Sequence, residues 1–515
     1  MAAHSLRLLA IAAIIYVVYA AASRALKPRK RYPPGPKGLP IVGSLFDINN
    51  ERPWITFSEM CDIVMFWVMG RPTILLGRME HAEALLQKRM MNYGDRPELV
   101  MAQDIVTQDG WYAGTARSHH NTHKKQRKIM NERLRVKALP EWAHPTATPE
   151  LHLLLQRLTN QSENFVKIFK TFTVNVMLGS TFGHESVPDV NHPLVGKINE
   201  ASDHQFTCQI QGYFWVDYFP FLKNLPTWLP GMGWKRLGLK WREEFDTLYG
   251  DLWDTTAKQN EHGEGPPCLV KTLIEKEMHQ LSLPEGATLA AALMDAGTET
   301  LTATTVVMMI VFMYFPHILK KAQETVDQTI GRDRLPTFED VGKMPYILAM
   351  VREAFRWRTV APVAIPHAVV EDDVYAGYDI PKGATVYALS QYIHEDPELY
   401  PEPKEYRPER FLDESGNLNN LPHAGFGFGS RRCLGNHFAE QTLYVLLSSF
   451  VQNFDITAPV DEKGNKILPS LDPMDWGAFL ASPPPFDFKA NITPRSKHSV
   501  EVINKAVGSD SIAKV

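Results

Sequence analysis

The chain has 515 residues, 44% hydrophobic and 22% charged, with a formal net charge of -4. That balance can bury a large core, excludes a disordered or collagen-like chain, and gives no global electrostatic footprint for nucleic acid. Its four cysteines, Cys61, Cys208, Cys268 and Cys433, are far apart with no CxxC pair, which excludes a disulfide framework or zinc knuckle and points to a reducing compartment for the folded part.

In chain order, Leu8 to Ala22 is an uninterrupted apolar run of 15 residues followed by Lys27, Arg29, Lys30 and Arg31. The run is short against the ~20 residues of a spanning helix, but Ala2 and Ala3 lengthen it while Arg7 snorkels. Basic residues after it keep that end cytosolic. A cleaved signal peptide is the alternative, with Arg7 as its whole positive n-region; an uncleaved anchor over residues 1–24 is the better reading. Prolines and glycines in "RYPPGPKGLPIVG" cannot continue a helix, so residues 25–43 read as a stiff basic hinge, and residues 44–515 as one catalytic domain without internal repeat. Ile63 to Leu76 predicts a β-hairpin around a Gly-Arg-Pro turn, and most of the remainder has helical periodicity.

"HKKQRKIMNERLRVK", His123 to Lys137, is markedly basic, which by itself predicts a solvated face. His119 and His123 are i,i+4, yet no third ligand or HExxH pattern makes them a metal pair. Further on, Pro284 and Glu285 open a helix that stays apolar from Ala287 to Phe315 and stops before Pro316, roughly 45 Å long at 1.5 Å per residue. Asp295 and Glu299, with Ala292 and Ala296, share one side of it. Two carboxylates in that setting point to a wet cavity or to protonation of at least one of them, with a solvated face as the alternative that the uncharged continuation of the helix disfavours. Gly297 predicts a local distortion, with Thr300 at its edge bonding back to the preceding turn or holding a water.

Glu353 and Arg356 are an i,i+3 pair on a helix whose Leu348, Val351 and Phe355 form the apolar face; alone, they read as a surface ion pair worth little. In "GFGFGSRRCLGNHF", Gly425 to Phe438, glycines 425, 427 and 429 allow tight turns, and Cys433 lies beside a helix N-terminus near Arg431 and Arg432. Peptide dipoles and guanidinium charge favour a thiolate there. An inert core residue, a nucleophile and a metal ligand all fit that description.

Phe426, Gly429, Arg431, Cys433 and Gly435 stand in the register of the haem-binding signature, and the chain resembles the cytochrome P-450 superfamily from the hinge to the end, most of all its fungal microsomal members. The resemblance implies a mainly α fold with small β-sheets and a long central helix over haem b, with Cys433 as axial iron ligand. Glu353 and Arg356 match the family's ExxR pair and, with Arg410 of "PERF", brace the thiolate loop. "AGTET" resembles the oxygen-activation motif, which gives Glu299 and Thr300 proton delivery and makes Asp295 and Ala296 substrate-facing. Arg431, His367 and Arg127 are the expected propionate contacts. His123 stands where relatives usually carry tryptophan.

The activity implied is monooxygenation of a small lipophilic substrate at the endoplasmic reticulum membrane. NADPH supplies electrons through a separate flavoprotein reductase, with cytochrome b5 as an optional second donor; the basic stretch from His123 is the docking face, and no GxGxxG fingerprint is present. A haem-thiolate sensor and a peroxide-rearranging isomerase are the rival readings. Residues 99–118, 205–235 and 476–484 are the expected pocket loops.

Overall fold

The computed structural model describes residues 30–40, 42–47, 62–107, 112–118, 120–277, 280–472 and 487–513. The expected anchor over residues 1–24, the start of the hinge, Cys61, His119 and the loop 476–484 lie outside the described residues. Two apolar runs form strands β1 (Ile63–Val68) and β2 (Arg71–Leu76), antiparallel and in register from Ile63 opposite Leu76 to Val68 opposite Arg71. The turn is Met69-Gly70, with φ of 49° and 78°, the left-handed pair whose twist matches a two-residue hairpin. Arg71 and Pro72, expected in the turn, therefore already belong to β2, and the turn begins one residue earlier than expected.

The longer helices follow: α1 (Asn121–Arg133), α2 (His144–Gln161), α3 (Phe165–Phe182), α4 (Pro193–Gln209), α5 (Gly233–Glu261), α6 (Leu283–Tyr314), α7 (Pro316–Thr329) and α8 (Pro345–Trp357). Strands β3 (His367–Ala368), β4 (Asp373–Tyr375), β5 (Tyr378–Ile380) and β6 (Thr385–Ala388) come next. After them lie α9 (Asn436–Asn453), β7 (Phe454–Thr457), β8 (Asn491–Pro494) and α10 (Lys497–Ala513). One sheet has the order β1-β2-β6-β3; β4-β5 and β7-β8 are two-stranded. β6 lies parallel to β2 starting at Thr73, so the N–H that Pro72 lacks is not needed by that ladder. This is the mainly α architecture with small sheets that the resemblance implies.

Helix α6 starts at a capping box: Glu285 N–H donates to Ser282 Oγ at 3.4 Å while Ser282 N–H donates to the Glu285 carboxylate at 2.8 Å. It ends where Pro316 opens α7. Long and apolar enough to cross a membrane, it is instead buried among α3, α8, α9 and their neighbours in the main core. No distortion appears at Gly297, since the helix runs unbroken. The glycine is needed because a Cβ there would overlap the Met177 side chain of α3. Threonines bond back within the helix, Thr298 to Met294 O at 2.9 Å and Thr302 to Thr298 O at 2.9 Å, and Thr302 also meets Thr173 of α3 at 2.6 Å.

The described part of the hinge lies on the sheets. Met65 N–H donates to Pro34 O at 2.9 Å, Arg31 N–H donates to Asp379 Oδ2 at 2.6 Å, and Gly43 bridges to Val68. Gly43 has φ +64°, and a Cβ would overlap the Trp67 carbonyl; Gly70 has φ +78° but open surroundings. Gly70→Ala is expected to cost about 1 kcal/mol and Gly43→Ala about 2 to 3 kcal/mol, because only the second adds a backbone collision to the φ strain. Urea unfolding midpoints followed by circular dichroism test that order.

Candidate functional site

The apolar stripe of α8 buries Glu353 and Arg356 completely. Arg356 Nε donates to Glu353 Oε2 at 2.7 Å and Nη2 to Oε1 at 2.8 Å, a bidentate pair. Arg410 Nε approaches Glu353 Oε1 at 3.3 Å, and the Arg407 backbone N–H donates to the same oxygen at 2.9 Å. The remaining Arg356 donors satisfy the carbonyls of His394 at 3.0 Å, Pro403 at 2.9 Å and Glu405 at 3.1 Å. What reads in sequence as an ordinary surface pair is thus a fully buried one, in which every exchange for water has been replaced by a protein contact.

His394 carries this network to the thiol loop. Its carbonyl accepts from Arg356, and its Nε2 accepts from the Ala424 backbone N–H at 2.8 Å. Phe426 packs edge-to-face on Phe355 of α8 at 4.8 Å, and Gly425 comes so close that a Cβ would lie 3.1 Å from Phe355 Cβ. Gly429, φ +54°, passes against the Leu86 carbonyl where no Cβ fits. Cys433 N–H then closes the loop on Phe426 O at 2.8 Å, two residues before the Gly435 cap of α9.

The Cys433 residue is solvent-accessible although it lies deep in the protein, so the surface it presents is the wall of an internal space. Burial raises its thiol above the ordinary value, opposed by the Gly435 N–H and by the charges of Arg127 and Arg432. This corrects the expected electrostatics: burial outweighs the helix end, and Arg431 is not among the stabilising charges. Arg431 instead donates to Gly94 O at 2.8 Å, Ala116 O at 2.8 Å and Ser118 Oγ at 2.9 Å. A sulfur anion so placed is favoured by a metal cation bound directly to it.

On α6, Ala296 is exposed and Thr300, one turn later, half-exposed, within the mostly buried middle of the helix. Thr300 donates its hydroxyl proton to Ala296 O at 2.7 Å. Glu299 is half-buried and pairs with Lys170 of α3 at 3.2 Å. Asp295 departs from expectation: it is fully buried and does not face the space beside Ala296. Its carboxylate accepts from Tyr249, from Ser202 Oγ at 2.8 Å and from Tyr112 at 3.5 Å. Burial pushes it up to about 7 against those three hydroxyls. Asp295 and Glu299 therefore follow different solutions, one held by hydroxyls and one ion-paired.

A cluster of cations stands near the thiol loop. Burial lowers Arg431 to about 10, with Arg127 repelling it and Asp95 attracting it; Arg96 is also held well below its ordinary value by burial and by Arg431 and Arg127. His123 is pushed down to about 3 by burial and by Arg431, Arg127 and Arg96, and His367 to about 3 by burial and Arg96. Asp95 already takes Arg117 at 3.0 Å and Ser118 N–H at 2.7 Å. Arg431 Nη1 and His123 Nδ1 are buried without a partner, and buried donors left so fit the acidic groups of a ligand. His367 is held by strand β3 and by Tyr93 O at 2.8 Å, and Arg127 Nη2 donates to Arg432 O at 2.7 Å. Accessible sulfur, small Ala296 and the unpartnered nitrogens of Arg431 and His123 fit iron protoporphyrin. Among the described residues, no group of three or more His, Cys, Asp or Glu could hold another metal.

Sequence reasoning missed Arg96 and His394. Arg96 holds the Ile365 and Pro366 carbonyls at 2.9 and 2.7 Å before β3, and His394 links the ion pair to the loop. Neither sits in a spaced motif; an arginine between aspartate and proline in "GDRP" is the faint signal for the first.

A family model described as cytochrome P450 matches residues 33–490. The chain is 33% identical to "Cytochrome P450 monooxygenase 58" of Postia placenta over 91% of its own length and 90% of that protein's. It is 32% identical to "Cytochrome P450 monooxygenase claR" of Ampulloclitocybe clavipes, over 94% and 90% respectively. Similarity to "Cytochrome P450 monooxygenase COX2" of Coprinopsis cinerea is 31% over 94% and 92%. Agreement over nearly whole chains, in family model and fungal relatives alike, covers every element around the thiol loop: the chain belongs to the cytochrome P450 family and is a monooxygenase.

Proposed function

We propose that this monooxygenase binds haem b through Cys433, takes electrons from NADPH by way of a separate flavoprotein reductase, and oxidises a small lipophilic molecule of fungal secondary metabolism. The observation that carries this is the accessible sulfur held deep inside by a loop tied to a buried ion pair. Bound there, haem supplies the activation of molecular oxygen. Arg431 and His123 would offer their unpartnered nitrogens to its carboxylates, with Arg96 and Arg127 adding positive field and neutral His367 standing beside them.

With its proton directed to Ala296 O, the Thr300 hydroxyl presents lone pairs to a water in the chamber. Glu299, half-buried against Lys170, reaches both solvent and the helix face one residue away, which suits it to pass protons inward. Such an acid-alcohol pair favours turnover over a sensing role. Ala296, without a side chain beyond Cβ, leaves the space a substrate needs.

Lys124 and Lys128 of α1, then Arg135 and Lys137, are exposed, as is Arg432 beside the thiol. A basic face adjoining the sulfur suits docking of an acidic reductase surface, with cytochrome b5 as a second donor. The membrane assignment draws on a different face. Tyr213, Trp215, Phe221 and Trp228 are exposed aromatics within residues 213–228. Exposed aromatic residues so close in the chain suit the interface of the endoplasmic reticulum membrane.

Reduced protein treated with carbon monoxide should show the red-shifted absorption of sulfur-ligated haem, and Cys433→Ala should abolish it; persistence of the band would overturn the ligand assignment. Thr300→Ala is expected to keep that band while product formed per NADPH consumed falls on the order of 10-fold or more, measured against peroxide released. Lys124→Glu with Lys128→Glu should raise the reductase concentration needed for half-maximal reduction and weaken its salt dependence, leaving the carbon monoxide spectrum unchanged.

A further inference from the structure

Asp295 has no part in the chemistry above, yet it is the most heavily shared carboxylate near the chamber. It sits on α6 one residue before exposed Ala296, and hydroxyls rather than cations face it. Ser202 comes from α4, Tyr249 from α5, and Tyr112 from the segment 112–118. Among the described residues, the side-chain hydrogen bonds joining α6 to α4 and to α5 all end on this one group. An apolar residue would avoid the cost of burying the acid. Its two oxygens gather three hydroxyl donors from three separate elements, Ser202 and Tyr249 on Oδ1 and Tyr112 on Oδ2.

Those elements are also tied to one another. The Asp217 carboxylate, between α4 and α5, accepts the Met101 backbone N–H at 3.0 Å, and Lys223 pairs with Asp104 at 2.6 Å, so the stretch after α4 grips the short helix Met101–Val106. Gln103 Nε2 of that helix donates to Thr115 O at 2.8 Å, and Lys235 of α5 donates to Lys223 O at 2.6 Å, so the cover is one linked body, and Asp295 is its polar attachment to the helix beneath.

We propose that Asp295 is a positioning residue for the substrate chamber: by drawing Ser202, Tyr249 and Tyr112 onto α6 it holds α4, α5 and the 112–118 segment at a set height above Ala296, and so limits the size of molecule that reaches the iron. This rests on the haem reading above. Asparagine in its place keeps an oxygen for Ser202 and Tyr249, which share Oδ1, and offers an N–H to the Tyr112 oxygen; alanine keeps nothing.

Stopped-flow optical binding of imidazole and of the bulkier 4-phenylimidazole to the full-length, haem-loaded protein tests it. Asp295→Ala should speed 4-phenylimidazole association about 10-fold or more, the equivalent of losing a hydrogen bond to a charged group, while imidazole changes less than about 3-fold. Hydrogen exchange should rise in residues 193–209 and 233–261, and Asp295→Asn should stay near the parent protein in both assays. Equal acceleration of both imidazoles, no change in either, or Asp295→Asn matching Asp295→Ala would overturn the proposal. Should Asp295→Ala fail to fold, Tyr249→Phe and Ser202→Ala, each deleting one donor, are expected to shift the same ratio, and a ratio unmoved in both refutes it. If the parent protein responds to neither imidazole, the haem reading fails by itself, and the exchange of α4 and α5 in Asp295→Asn and Asp295→Ala still decides the role of Asp295.

Discussion

One carboxylate, Glu353, organises the proximal half of the molecule. It lies fully buried with two guanidiniums and a backbone N–H upon it. Desolvating three charges is so costly that the pair adds little net stability compared with apolar residues of the same volume, whereas removing one partner costs roughly 3 to 5 kcal/mol. Its value is therefore positional. Arg356 spends its other donors on the His394, Pro403 and Glu405 carbonyls, and His394 passes the constraint to Ala424 at the start of the thiol loop. A loop with left-handed glycines at 427 and 429 is thereby kept in one shape.

Charge is distributed unevenly around the chamber, and the imbalance is informative. On the sulfur side, Arg96, Arg127 and Arg431 crowd together with two neutral histidines, and Asp95, the carboxylate among them, is already committed to Arg117. On α6, Asp295 is buried with hydroxyls only. The first arrangement is an excess of donors suited to an acidic ligand; the second is an acceptor saturated by protein. Both are costly alone, and each makes physical sense as a device for placing something else.

Much of this was legible in the residues themselves. The hairpin followed from two apolar runs and a glycine, the 32-residue helix from its capping proline, glutamate and unbroken apolar content, and the thiol loop from its glycine spacing. Local errors arose where a neighbour from elsewhere in the chain settled the matter. Gly297 serves Met177 rather than a kink, Asp295 serves three hydroxyls rather than a substrate, and the turn of the hairpin moved by one residue because Met69 accepts a positive φ. The burial of Glu353 and Arg356 was invisible locally, since i,i+3 spacing is the same on a surface.

By itself the sequence determined which short stretches could exist: where backbone must turn, where helices begin and stop, and which sulfur follows a glycine-rich bend. These depend on interactions within about ten residues, whose chemistry the order of residues specifies directly. Only the tertiary structure decided which charged groups lose water and which atoms meet. Arg96 and Arg431 are 335 positions apart, and so are brought together by packing alone. Because solvation and Coulomb energies depend on distance in space and on burial, they are properties of the folded arrangement.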